Sequence, residues 1–175
     1  MKRSAWKLPR AGAGAALAIL AVLACAPEAW SRTARPARCH VMTEALAKTL
    51  FDEWNKALQV KPPNPDKVTL TYTPDAVLLP TFKDGPLIGR AQIRGYFAHF
   101  VEQHPVGTID TRSVIAPGCN VGVAAGLYTF TVDEGGQRVN KPARYTYVYV
   151  YQPDSGRWLI AHHHSSARPE PGTPK

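Results

Sequence analysis

Several things are scarce in this chain, and each scarcity narrows the reading. Three cysteines in 175 residues allow one disulfide at most. The uncharged apolar run near the start, Ala11 to Pro27, falls short of a bilayer-spanning helix. There is no internal repeat, so a solenoid or propeller array is excluded. The glycines between Gly118 and Gly126 lack a strand–loop–helix context, which removes a phosphate-binding loop. Acids are in deficit: 13 Asp and Glu face 21 Lys and Arg, a net charge of +8.

What is present is a globular composition. The chain is 45% apolar and 19% charged, enough to build one core and long enough for one domain. Whole-chain disorder, collagen and coiled coil do not fit. A charge of +8 invites a nucleic-acid reading, but its position argues otherwise. Residues 1–31 carry +3, residues 32–38 a further +3 and residues 168–175 a net +1. The stretch 39–167 holds 12 bases and 11 acids and is nearly neutral. No nucleic-acid partner is expected.

The first segment reads as an export signal. Lys2, Arg3, Lys7 and Arg10 precede an apolar run containing Leu17, Ile19, Leu20, Val22 and Leu23. Cleavage after Ser31 is one reading. The other is a lipoprotein signal ending before Cys25, which would anchor the protein to a membrane through that cysteine. Residues 32–38 then form a basic linker, and residues 168–175 a disordered tail. Export leaves Cys39 and Cys119 as an even pair. In an oxidising compartment they read as one disulfide, the alternative being two unrelated buried thiols.

Thr43 is a candidate N-cap for a helix whose face carries Leu46, Ala47, Leu50, Phe51, Trp54 and Leu58. Asn64 and Pro65 start a short helical turn, Ala76–Pro80 reads as a strand, and a second long helix spans about Arg90–Gln103. From Gly107 onward the pattern is β: Ile109–Ile115, Gly122–Val132, Ala143–Gln152 and Trp158–Ser166, joined by Gly-containing turns. Helices followed by an antiparallel meander predict an α+β domain over residues 39–167.

Particular segments are familiar. Residues 143–151 (ARYTYVYVY) and 157–167 (RWLIAHHHSSA) resemble the end of a nuclear transport factor 2-like domain. With FDEWNKAL at 51–58, DAVLLPT at 75–81, GRAQIRGYF at 89–97 and GCN at 118–120, the chain is similar to the calcium/calmodulin-dependent protein kinase II association (hub) domain, in a secreted bacterial branch. The resemblance implies a cone, with N-terminal helices on a strongly curved antiparallel sheet and a cavity between them. It implies assembly of the chain with itself, as a homodimer or larger ring. It does not imply one chemistry, since isomerases, dehydratases, cyclases and non-catalytic hubs share the fold. The positions set against the hub's cavity arginines read Leu127, Val148 and Ser165, so no arginine-lined anion pocket carries over. The 175 residues leave no room for a kinase domain.

Candidate site residues follow from strand alternation. If Ser165 faces the cavity, so does His163, while His162 and His164 face away. The same rule applied to the preceding strand expects Arg144, Thr146 and Val148 inside and Tyr145, Tyr147, Tyr149 and Tyr151 outside. The expected ligand cavity is therefore Trp54, Arg144, Thr146, His163 and Ser165. His163 beside Arg144 would supply a general base and an anion clamp; the alternative is a core histidine bonded to backbone or water. The outer stripe of Tyr145, Tyr147, Tyr149, His162 and His164 is the expected oligomer interface. His162 and His164 form an H-x-H pair but have no obvious third ligand, so no metal or other cofactor is expected. Asp110 is the one acid inside a strand, with Arg112 as its nearest candidate partner.

These readings together give an exported, self-assembling domain with a cavity for an unknown small molecule, and no catalytic activity. The runner-up is a small-molecule enzyme, whether isomerase, dehydratase, cyclase or oxidoreductase, using His163 and Arg144.

Overall fold

Thr43 opens the first helix as expected, its hydroxyl accepting from the Leu46 amide at 3.1 Å. Helix α1 (Glu44–Leu58) buries Ala47, Phe51, Trp54 and Leu58, a single stripe along its length. Asn64 caps the short α2 (Pro65–Thr69), with proline in the first turn where no amide donor is needed. Helix α3 (Gly89–Phe100) buries Ile93, Phe97 and Phe100 and tightens into a 3-10 turn, Val101–Gln103. The computed structural model describes residues 38–169. The export signal over 1–31, Cys25, most of the basic linker and the tail beyond Pro169 lie outside the described residues.

Six strands form one sheet: β1 (Tyr72–Leu79), β2 (Leu87–Ile88), β3 (Val106–Gly118), β4 (Val121–Glu134), β5 (Gln137–Gln152) and β6 (Arg157–Ala167). Their order is β2-β1-β6-β5-β4-β3. Strands β3 to β6 are the expected meander, each pair antiparallel. The ladder between β1 and β6 is parallel, so the expected antiparallel sheet is antiparallel everywhere but at this one pairing. Strands β3, β4 and β5 lie between these two strands in the chain, so no tight hairpin fixes their relative direction.

The helices pack on one face of the sheet, and that face carries the large side chains. Tyr128, Phe130, Tyr145, Tyr147, Tyr149, Ile160 and His163 are buried there against Trp54, Tyr72 and Phe97. Two glycines allow close approach. A Cβ at Gly122 would collide with Met42, and one at Gly126 with the Thr111 carbonyl oxygen. The N-terminal strap before α1 is fastened by a disulfide between Cys39 and Cys119 (S–S 2.06 Å). Beside it the Asn120 amide donates to the His40 carbonyl at 2.7 Å, and the His40 ring stacks on Tyr151 at 3.7 Å.

Arg168 was expected in the tail but belongs to the fold. Its guanidinium holds the Asp110 carboxylate, and its Nε donates to the Ala143 carbonyl at 3.4 Å. Asp110 sits where the β3–β4 register shifts, and also accepts from Thr129 at 2.9 Å. Its partner is therefore Arg168, not Arg112: the bulge takes Asp110 out of the simple alternation that placed it beside Arg112.

Candidate functional site

A chain of buried polar groups runs between α1 and the sheet. The Trp54 indole Nε1–H donates to the Tyr72 hydroxyl at 3.1 Å, and that hydroxyl lies 2.8 Å from His163 Nδ1. Trp54 and Tyr72 are 1% and 0% exposed and His163 3%, so bulk solvent does not reach these bonds. His163 also stacks on Tyr147, ring centroids 4.2 Å apart. A second cluster lies alongside, where Ser165 Oγ receives the Tyr128 hydroxyl and contacts Thr81 Oγ1.

Proton bookkeeping assigns the tautomer of His163. Burial, reinforced by His162 and His164, pushes its pKa down to about 3, so the ring is neutral and carries one N–H. The Trp54 N–H can only donate, so Tyr72 accepts it and keeps its own hydrogen for His163 Nδ1. The ring proton is then on Nε2. The opposite tautomer would strand the Tyr72 hydrogen in the core. His163 Nε2 itself is buried without a protein hydrogen-bond partner.

Trp54, His163 and Ser165 border a small void together with Tyr128, Thr81 and Phe82. Its volume is about 20 Å³, room for about one water and not for an organic molecule. The expected open cavity is instead filled by aromatic rings. Two larger clefts flank Phe82 outside, of about 620 and 430 Å³.

The remaining site expectations divide by face. Tyr147 pairs directly with His163 and Tyr145 with Ser165, so the tyrosines share the interior face. Tyr145, Tyr147 and Tyr149 are 3%, 1% and 2% exposed, which corrects their assignment to an oligomer interface. Arg144 and Thr146 lie on the opposite face with His162 and His164. That removes Arg144 and Thr146 from the cavity and separates Arg144 from His163. The physical reason is burial: this phase buries three aromatic rings, and the other would bury a guanidinium. Among the described residues no third acid, cysteine or histidine joins His162 and His164 in a group able to hold a metal. Tyr72, Thr81, Phe82 and Tyr128 were not singled out from the sequence. Tyr72 carried a readable signal, since it stands just ahead of an apolar strand and aromatic residues favour strands.

A family model described as the calcium/calmodulin dependent protein kinase II association domain matches residues 44–169. The chain belongs to that family. A solved calcium/calmodulin dependent protein kinase II association domain from Xanthomonas campestris is 44% identical, with a TM-score of 0.68 over 74% of this chain and 91% of that one. A nuclear transport factor 2-like protein with a cystatin-like fold from Novosphingobium aromaticivorans gives a TM-score of 0.57 at 10% identity, over 73% of this chain and 81% of that one. A ketosteroid isomerase-like protein from Erwinia carotovora atroseptica gives 0.55 at 18% identity, over 72% and 93%. The last two likenesses show the fold alone. No curated protein matches the chain. Within this association domain, Leu127 and Val148 lie on the face away from the helices, so neither marks an interior wall; Ser165 does face inward.

Proposed function

We propose that this association domain is an exported, non-catalytic self-assembling module, joined to further copies through the outer face of its sheet, with its interior serving a small ligand. The observation that carries the reading is the unequal covering of the sheet. Helices cover one face. The other presents Val77, Val123, Leu127, Val148 and Val150 in a half-buried aliphatic field with no layer over it among the described residues, and Ile115 there is 61% exposed. A sheet face of this composition is stable when covered, and membership of an association-domain family supports a second copy as the cover. His162 and His164 remain part of this interface, and Arg144 and Thr146 move into it. The Cys39–Cys119 disulfide supports an oxidising compartment.

Analytical ultracentrifugation of the protein at tens of micromolar tests the assembly. Val148→Asp and Val123→Asp are expected to give a folded monomer, with an unchanged far-ultraviolet spectrum. Tyr147→Asp is expected to unfold the domain instead, because its ring is core. A monomeric wild-type protein would remove the reading.

A further inference from the structure

Phe82 occupies an unusual position. It is a large apolar side chain left 56% exposed, on the turn between β1 and β2. Its ring borders three spaces at once: the void beside His163, the 620 Å³ cleft against α3 and the 430 Å³ cleft against β5. Among the described residues, one side-chain hydrogen bond ties residues 81–86 to the sheet, between the hydroxyls of Thr81 and Ser165. Gly85, at φ +80° with nothing within 4 Å of where a Cβ would stand, gives this turn its shape without packing it down. Swinging the turn outward breaks that one bond and joins the void to both clefts, a volume in the range of ordinary ligand sites.

Opening also exposes a matched pair of donors. His163 borders the void, and its Nε2–H is unpaired. Ser165 accepts from Tyr128, so once Thr81 leaves, its own hydrogen is free to turn to a ligand. An N–H and an O–H donor on two residues that border one small void suit one acceptor oxygen. The walls are aromatic, and no charged side chain borders the void. Lys141 and Arg168, at the edge of the cleft beside β5, are already engaged by Glu134 and Asp110. Lys83, at the 620 Å³ cleft, sits on the turn that swings outward and moves away from His163, so a carboxylate held at His163 and Ser165 would lack a counter-ion and the acceptor is uncharged.

We infer that the Phe82 turn gates an interior site in which His163 Nε2–H and Ser165 Oγ–H hold the carbonyl oxygen of an uncharged, largely apolar small molecule. This rests on the proposed use of the interior by a ligand, and adds the gate and the chemistry of the occupant.

Three near-isosteric probes test it: acetophenone, α-methylstyrene and benzoate. Each is titrated into the full protein while the Trp54 indole N–H resonance, next to Tyr72 and His163, is followed by NMR. Acetophenone is expected to bind about tenfold more tightly than either of the others, the discrimination of one buried donor set. His163→Phe is expected to abolish the preference for acetophenone over α-methylstyrene, and His163→Gln, which keeps an N–H donor, to retain part of it. Phe82→Ala, an exposed site, is expected to speed association several-fold. Equal binding of ketone and hydrocarbon, or a preference for benzoate, overturns the donor assignment while leaving an interior site standing. An unchanged association rate in Phe82→Ala overturns the gate. Binding of none of the probes by either wild type or Phe82→Ala overturns the interior site and this inference with it. Should His163→Phe not fold, the ranking of the three probes on wild type still decides.

Discussion

Acid should find His163 before it finds the rest of the core. In the unfolded chain a histidine titrates near 6.5, whereas burial holds His163 down to about 3 in the folded domain. Between these values the unfolded chain binds a proton that the folded chain refuses, so stability is lost as pH falls through this window. The contribution is present in full above about pH 6.5. By about pH 4.5, two units lower, the loss from this one group is about 3 kcal/mol. Carboxylates add a loss of the same sign at lower pH: Asp66 is held down by Arg94, and Asp133 by Arg138 and then His104. The informative quantity is therefore a difference between proteins. Urea unfolding of wild type and His163→Gln, at one protein concentration and at about pH 7 and about pH 4.5, supplies it. Glutamine can still accept from Tyr72 but does not titrate. Wild type should lose about 3 kcal/mol more than the variant between the two conditions. Equal losses would show that His163 is not held neutral, and the assignment of its proton to Nε2 would fall.

Other perturbations test other parts of the fold. Replacing both Cys39 and Cys119 by serine opens a loop of 80 residues and should cost about 4 kcal/mol in the chain-entropy model, read as a lower urea midpoint. Gly126→Ala drives a methyl group into the Thr111 carbonyl and should cost roughly 1–3 kcal/mol, while Gly118→Ala, with open space around it, should be near neutral. Thermal melts of the two variants separate these outcomes. Trp54→Phe removes the donor to Tyr72 and leaves a smaller ring in the core, and should cost about 2–3 kcal/mol; an unchanged melt would mean the polar chain is not a stabilising network.

The elements of this domain were legible because their signals are local. Thr43 and Asn64 announce helix starts, and the alternating runs after Gly107 announce strands. The assignment of faces was harder. Alternation gives a strand its period but not its phase, and phase is set by register with the neighbour. His163 and Ser165 were placed inward, as they lie. Carrying that phase to β5 without the register reversed the tyrosines, because Tyr147, not Thr146 or Val148, stands opposite His163. The composition held the answer: an inward phase of Tyr145, Tyr147 and Tyr149 buries far more apolar area than one of Arg144, Thr146 and Val148, at no cost in buried charge. Local irregularity hid the rest. The β5–β6 register shifts around Ala161, so Ile160 and His163 both face inward although they are three residues apart.

The reversal has a chemical consequence. A general base needs a lone pair, a pKa near the working pH and a group to steady the charge it acquires. His163 spends its Nδ1 lone pair on Tyr72, carries its proton on Nε2 and is held far below neutral pH. Arg144, the charge that would have clamped an anion, is on the other side of the sheet. Besides tyrosine hydroxyls and the Trp54 indole, the buried polar residues of the described chain are Thr69, Thr73, His163 and Ser165, with no carboxylate among them. Such an interior can hold and orient a carbonyl, but acid–base turnover would require a proton acceptor that these residues do not provide. The arrangement that leaves His163 with a proton on Nε2 and its Nδ1 lone pair engaged therefore makes it a poor general base, in line with the binding role proposed for the interior.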